Sequence, residues 1–156
     1  MVLGITVNWW AILVAAIANI IVGYLWYGPF FGKKWKELSG MKSQKMSSVK
    51  MTPTKSYLFG FIAALVMAYV LALFAQLAFA DTFVRGALVG FWVWLGFVAT
   101  VSIGAVIWEG KSMSLFWLHS LGTLVSLALM GAILAVWYFF FLFLLFLEDY
   151  LNRWKL

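Results

Sequence analysis

Side chains able to do chemistry are few in this sequence. There is one histidine, His119, and five acids: Glu37, Asp81, Glu109, Glu148 and Asp149. No acid lies in the middle of an apolar run. With no cysteine, thiolate nucleophiles, disulfides, iron–sulfur clusters and zinc–thiolate sites are excluded. One histidine rules out a two-histidine metal site within one chain, so no metal or cofactor is expected. General acid–base catalysis needs titratable groups in a pocket, and only His119 and Glu109 could supply them. The expectation is a protein that is not an enzyme.

Three further polar residues fall at about the depth of His119. Asn19 and Thr100 each stand eight residues before the end of an apolar run, and Thr123 stands nine into another. His119, Thr123 and Ser126 share a helix face. Two readings follow. One is a small polar site of Asn19, Thr100, His119 and Thr123, opening toward Glu109. The other is interhelical hydrogen bonding that holds a bundle together, worth about 0.6 kcal/mol per pair. The second is the commoner use of such residues. Asn8 and Gln76, at the opposite end, form another possible pair.

The elements that must position these groups are dictated by composition. Of 156 residues, 66% are hydrophobic and only 10% charged, and the mean hydropathy is +1.03. Soluble domains are roughly 45–50% apolar and about 25% charged. Too few charges remain to solvate a surface, so a soluble globular protein is excluded. Disorder is excluded for the same reason. Four apolar runs, about 5–27, 56–79, 84–108 and 114–147, reach the ~20 residues needed to cross a bilayer. They are too long for barrel strands and do not alternate. The fold class expected is all-α, one four-helix transmembrane bundle.

Local signals mark the ends of the spans. Gly28-Pro29 should stop the first, Thr52-Pro53 start the second, Asp81 cap the third, and Glu109-Gly110 close it. Ser112 or Ser114 can cap the fourth. The first run has no basic segment before it and so reads as a retained helix, not a signal peptide. Residues 33–55 hold seven of the eleven basic residues, and with Lys111 the count is eight against three for the other side. The positive-inside rule then puts the basic loop 28–55 in the cytoplasm and both termini on the non-cytoplasmic side.

Within that loop, Phe31, Trp35, Leu38 and Met41 share a helical face flanked by Lys33, Lys34 and Lys36. This is the pattern of a short helix lying among lipid headgroups, with anionic lipids as partners, followed by a tether over 42–52. The same charges also serve as the topology signal alone. Nothing beyond charge points to nucleic acid.

Small residues recur every four positions: Ala11, Ala15, Asn19 and Gly23 in the first span, and Gly60, Ala64, Ala68 and Ala72 in the second. Such stripes let helices approach closely in lipid, and these two should pack on each other. Gly86-x-x-x-Gly90 in the third span suits either a homo-oligomer contact or an intrachain one. Trp9, Trp10, Trp26, Trp35, Trp108 and Trp117 form interfacial belts. Trp92 and Trp94 fall deeper and are expected in the core. The fourth run is about 51 Å long as a helix against a core of about 30 Å, so it must bend, protrude or shift, with Gly131 a possible hinge.

Several stretches together resemble a known family. They are Asn8-Trp9-Trp10-Ala11; Leu25-Trp26-Tyr27-Gly28-Pro29 with Phe31-Gly32-Lys33 and Trp35; residues 94–100; Glu109-Gly110-Lys111 with Leu115-Phe116; and residues 124–134. In order and spacing they resemble the small prokaryotic membrane proteins grouped as domain of unknown function 1761, over about residues 8–136. The resemblance implies a four-helix protein of a prokaryotic inner membrane. It implies no activity and assigns no residue a role. The apolar stretch 137–147 runs past it. The first and third spans also end alike, in Trp26-x-Gly28 and Trp108-x-Gly110.

The function expected is therefore assembly, as a homo-oligomer or as an accessory subunit among other membrane proteins. The alternative is a small transporter or channel. With no carboxylate in the first span, proton coupling would have to rest on His119.

Overall fold

The computed structural model describes residues 6–39 and 52–153. Met41, the 42–51 part of the expected tether, and the side chains of 141–147 lie outside the described residues.

All regular structure among the described residues is helical. The elements are α1 (Trp9–Leu25), a π-helical turn (Trp26–Phe30), α2 (Gly32–Leu38), α3 (Pro53–Leu77) and α4 (Phe83–Val93). A second π-helical segment (Trp94–Ala99), α5 (Thr100–Ser102), α6 (Gly104–Ile107) and α7 (Met113–Arg153) complete the chain. Four helical stretches are long and apolar enough to cross a membrane: Trp9–Phe30, Thr54–Leu77, Phe83–Ile107 and Met113–Tyr138. The protein is a small helical membrane protein.

The helix ends show how neighbouring signals compete. Asn8 caps α1, its Oδ1 accepting from the backbone N–H groups of Trp10 and Ala11 at 2.9 and 3.2 Å. Gly28-Pro29 does not stop the first span, contrary to expectation. Proline lacks an N–H and crowds the preceding turn, and here the turn widens. The Phe31 N–H donates five residues back to the Trp26 carbonyl at 2.9 Å, and the chain stays helical into α2. Thr82, not Asp81, caps α4, accepting from the Arg85 N–H at 3.3 Å, while Asp81 pairs with the Arg85 guanidinium at 2.9 Å. Ser112 caps α7.

The end of α3 holds a backbone outlier. Phe79 sits at φ +50, in the left-handed region. Its N–H reaches the Gln76 carbonyl and the Ala80 N–H reaches the Ala75 carbonyl. That is the glycine-type helix stop, built here on a phenylalanine.

The bundle is organised around α7. Half of its apolar window is buried (50%), against 11–28% for the other three spans. Ala11 and Ala15 of α1 meet Ala64, Ala68 and Ala72 of α3 in one buried cluster, closed by Leu71 and by Leu127 and Met130 of α7. The tightest crossing is between α4 and α7. A methyl added to Gly86 would overlap the Gly131 carbonyl, and one on Gly90 the Leu127 carbonyl. Gly86 and Gly90 therefore make an intrachain contact and offer no free surface to a second copy. Gly131 is a contact residue and not a hinge, because α7 runs unbroken for 41 residues, about 62 Å. Trp94 is buried as expected, but Trp92 is 63% exposed.

Candidate functional site

Two tryptophans begin the two π-helical segments, and both reach the same turn of α7. The Trp26 indole N–H donates to the Leu118 carbonyl at 3.0 Å, and the buried Trp94 indole N–H donates to the Ser120 carbonyl at 2.7 Å. Between them, the Tyr27 hydroxyl is 2.9 Å from His119 Nδ1. Gly122 makes room for this arrangement, since a methyl there would come within 2.9 Å of Trp26 Nε1. Residues 118–122 of α7 are thus gripped from the first and third spans at once. The Ser120 hydroxyl is buried there with no hydrogen-bond partner among the described residues.

The expected polar layer does not assemble. Thr100 is exposed, and its hydroxyl donates to its own helix at the Gly96 carbonyl, 2.7 Å away. Thr123 does the same on α7, donating to the carbonyls of Ser120 and His119. Hydroxyls in helices satisfy themselves on the preceding turn, and residue depth does not reveal that. Asn19 is half-buried, and its side chain makes no hydrogen bond among the described residues. Glu109 is exposed and pairs with Lys111 at 2.8 Å. His119 meets Tyr27 instead of Asn19 or Thr100. Among the described residues no three His, Asp or Glu side chains gather as metal ligands.

At the other end, Gln76 and Asn8 do not pair. Gln76 Nε2 donates to the Thr6 carbonyl at 3.0 Å, and Asn8 is occupied by its cap. Together with Ala72, Ala75, Ala80 and Tyr138 they line a cavity of about 310 Å³.

Lys33, Lys34 and Lys36 are exposed on α2. Trp35 is half-buried, with its ring edge-on to Tyr27 at 5.9 Å. It therefore anchors α2 to the bundle, where a wholly lipid-facing ring was expected. With Lys55 and Lys111 these lysines define a basic end of the bundle. Beside Lys111, α5 and α6 diverge from α7, leaving a cleft of about 250 Å³ that His119 and Ser102 also line.

The gripping tryptophans were not singled out from sequence, yet a signal was available. Trp26-Tyr27-Gly28 and Trp94-Leu95-Gly96 share Trp-x-Gly, and each opens a π-helical segment. Trp108-x-Gly110, the match chosen above, has no such role: Trp108 is 85% exposed.

Fold and site together define a small four-span helical membrane protein whose interior polar groups are spent on tying helices to α7. The chain belongs to the family described as protein of unknown function (DUF1761), whose model matches residues 10–135. No curated protein and no solved structure matches it.

Proposed function

We propose that the protein is non-catalytic and acts by assembly, through the part of α7 that outruns the bundle. The observation that carries this is the length of α7. Tyr138 is level with Asn8, Gln76 and Ala80, since all four line one cavity. The helix then continues to Arg153, about 22 Å further. Residues 139–147 are all apolar in sequence. An apolar helix standing beyond the ends of its neighbours needs cover, and a second copy or another membrane subunit supplies it. This segment also lies outside the family match, so the assembly it mediates is particular to this chain and its near kin.

The basic end faces the cytoplasm in this reading, because its five described lysines outnumber its two glutamates, Glu37 and Glu109. The membrane is the inner membrane of a prokaryote. Lys33, Lys34 and Lys36 draw anionic lipids to α2 by diffuse attraction, about 1 kcal/mol per charge.

Native mass spectrometry of the full chain, against a chain truncated after Tyr138, tests the assembly. The full chain should carry a second copy or a foreign subunit. The truncated one should be a folded monomer, with its tryptophan fluorescence unchanged. The same assembly in both would overturn the proposal.

A further inference from the structure

The cleft at the basic end combines features that no helix-packing role accounts for. Its walls are the apolar side chains of Ala105, Val106 and Phe116, and its polar groups are Lys111, His119 and Ser102. Tyr27 occupies His119 Nδ1 and so leaves Nε2 for the cleft. The Ser102 side chain makes no hydrogen bond among the described residues. An ammonium, an imidazole nitrogen and a hydroxyl thus converge on one apolar-walled opening.

The fold builds this opening. α4 is held against α7 by Gly86, Gly90 and Gly131, where no side chain separates the backbones. Toward the basic end the third span loses regularity. The Val106 N–H turns to the Ile103 carbonyl at 3.0 Å, a tightened turn at the start of α6. There α7 presents Leu115 and Phe116 where it presents glycine further along. Close approach at one end and bulk at the other spread the two helices into a wedge.

We infer that this wedge is a binding site for the phosphate of one anionic phospholipid. Lys111 supplies the charge, and Ser102 and His119 supply directed hydrogen bonds. Ala105, Val106 and Phe116 receive the first methylenes of the chains. Size and charge decide the occupant. Ligand pockets usually run about 300–1,000 Å³. About 250 Å³ holds a headgroup and not a whole amphiphile, so the chains stay in the bilayer. Five lysines against two glutamates make this end attractive to anions. Glu109, paired with Lys111 at 2.8 Å, is the built-in competitor that the phosphate displaces.

The test is native mass spectrometry of the full chain from nanodiscs of equal phosphatidylglycerol and phosphatidylcholine. The wild type should retain one phosphatidylglycerol in preference to phosphatidylcholine. Lys111→Gln should lower that preference about fivefold, the effect of one interfacial charge. Glu109→Gln should raise it, and Lys111→Arg should keep it. Lys33, Lys34 and Lys36 changed together to Gln should leave the single retained lipid in place. Tyr27→Phe serves as a control for any loosening of His119. If Lys111→Gln fails to fold, Ser102→Ala and Glu109→Gln still give opposite expected shifts. Equal retention of both lipids would mean that apolar packing alone holds them. Loss only in the triple α2 variant would mean diffuse attraction. Displacement by millimolar inorganic phosphate would mean a free-anion site. Each of these would overturn the inference.

Discussion

Replacing Gly90 by Ala is the sharpest probe of the bundle. A methyl at Gly90 would lie 2.8 Å from the Ala128 Cα and would overlap the Leu127 carbonyl. Ordinary carbon contacts sit at about 3.5–4.0 Å, so α4 and α7 must separate by about 1 Å. Neither partner atom belongs to a flexible side chain that could move aside. Overpacking of this kind costs about 1–3 kcal/mol, and a gap of about 1 Å also weakens the contacts along the rest of the crossing. We expect Gly90→Ala to destabilise the monomer by about 2–3 kcal/mol, and Gly90→Leu to prevent folding. The assay is unfolding with increasing dodecyl sulfate in mixed micelles, followed by circular dichroism. Gly60→Ala is the control, because a methyl there meets nothing within 4 Å and an exposed helical Gly→Ala change gains about 0.5–1 kcal/mol. An unchanged Gly90→Ala midpoint combined with a smaller assembly would refute the reasoning, placing the glycine contact between chains.

Three further outcomes are expected. Phe79→Gly should stabilise the protein by about 1 kcal/mol, because Phe79 pays the left-handed cost at φ +50 while 83% exposed; a lower midpoint in the same titration would show that its ring anchors the turn in the interface. Trp94→Phe should cost about 1–3 kcal/mol, from the lost 2.7 Å hydrogen bond to the Ser120 carbonyl and the space left by the smaller ring, and a neutral result would remove Trp94 from the grip on α7. Gly122→Ala and Trp26→Phe should be strongly non-additive in a double-mutant cycle, since the methyl and the indole compete for one space; additivity within about 0.5 kcal/mol would contradict that contact.

The spans were legible because hydropathy and helix length suffice to find them. Their faces were legible only where the helix stays regular. The alanines at 11, 15, 64, 68 and 72 follow a four-residue spacing through unbroken helix, and they meet in the core. The stripe Gly86, Gly90, Gly96, Thr100 in the third span extrapolates the same spacing and fails. Gly86 and Gly90 are buried, but Gly96 and Thr100 are exposed. Between them lies the π-helical segment, whose wider turn carries an extra residue and rotates everything after it by about 100°. Proline gives no fuller information at Gly28-Pro29, because a stop and a widened turn both satisfy its missing N–H. Asp81 and Thr82 are both good caps, and only the geometry of the Arg85 side chain decides between them.

The two π-helical turns explain how tryptophan can tie a membrane bundle together. A backbone carbonyl has two acceptor sites, and the helix ladder uses one. In lipid, an indole N–H away from the interface has no water to bond, so a second site on a neighbouring helix is its available partner. A regular helix carries each side chain on a fixed face. Shifting that face at Trp26 and again at Trp94 brings both indoles onto adjacent carbonyls of α7, Leu118 and Ser120. The same rotation turns the following residues of the third span away from α7, leaving Ser102 and Val106 on one wall of the basic-end cleft and Phe116 and His119 on the other. Rigidity at the grip and an opening one turn below it therefore have a single cause, the extra residue in the helix.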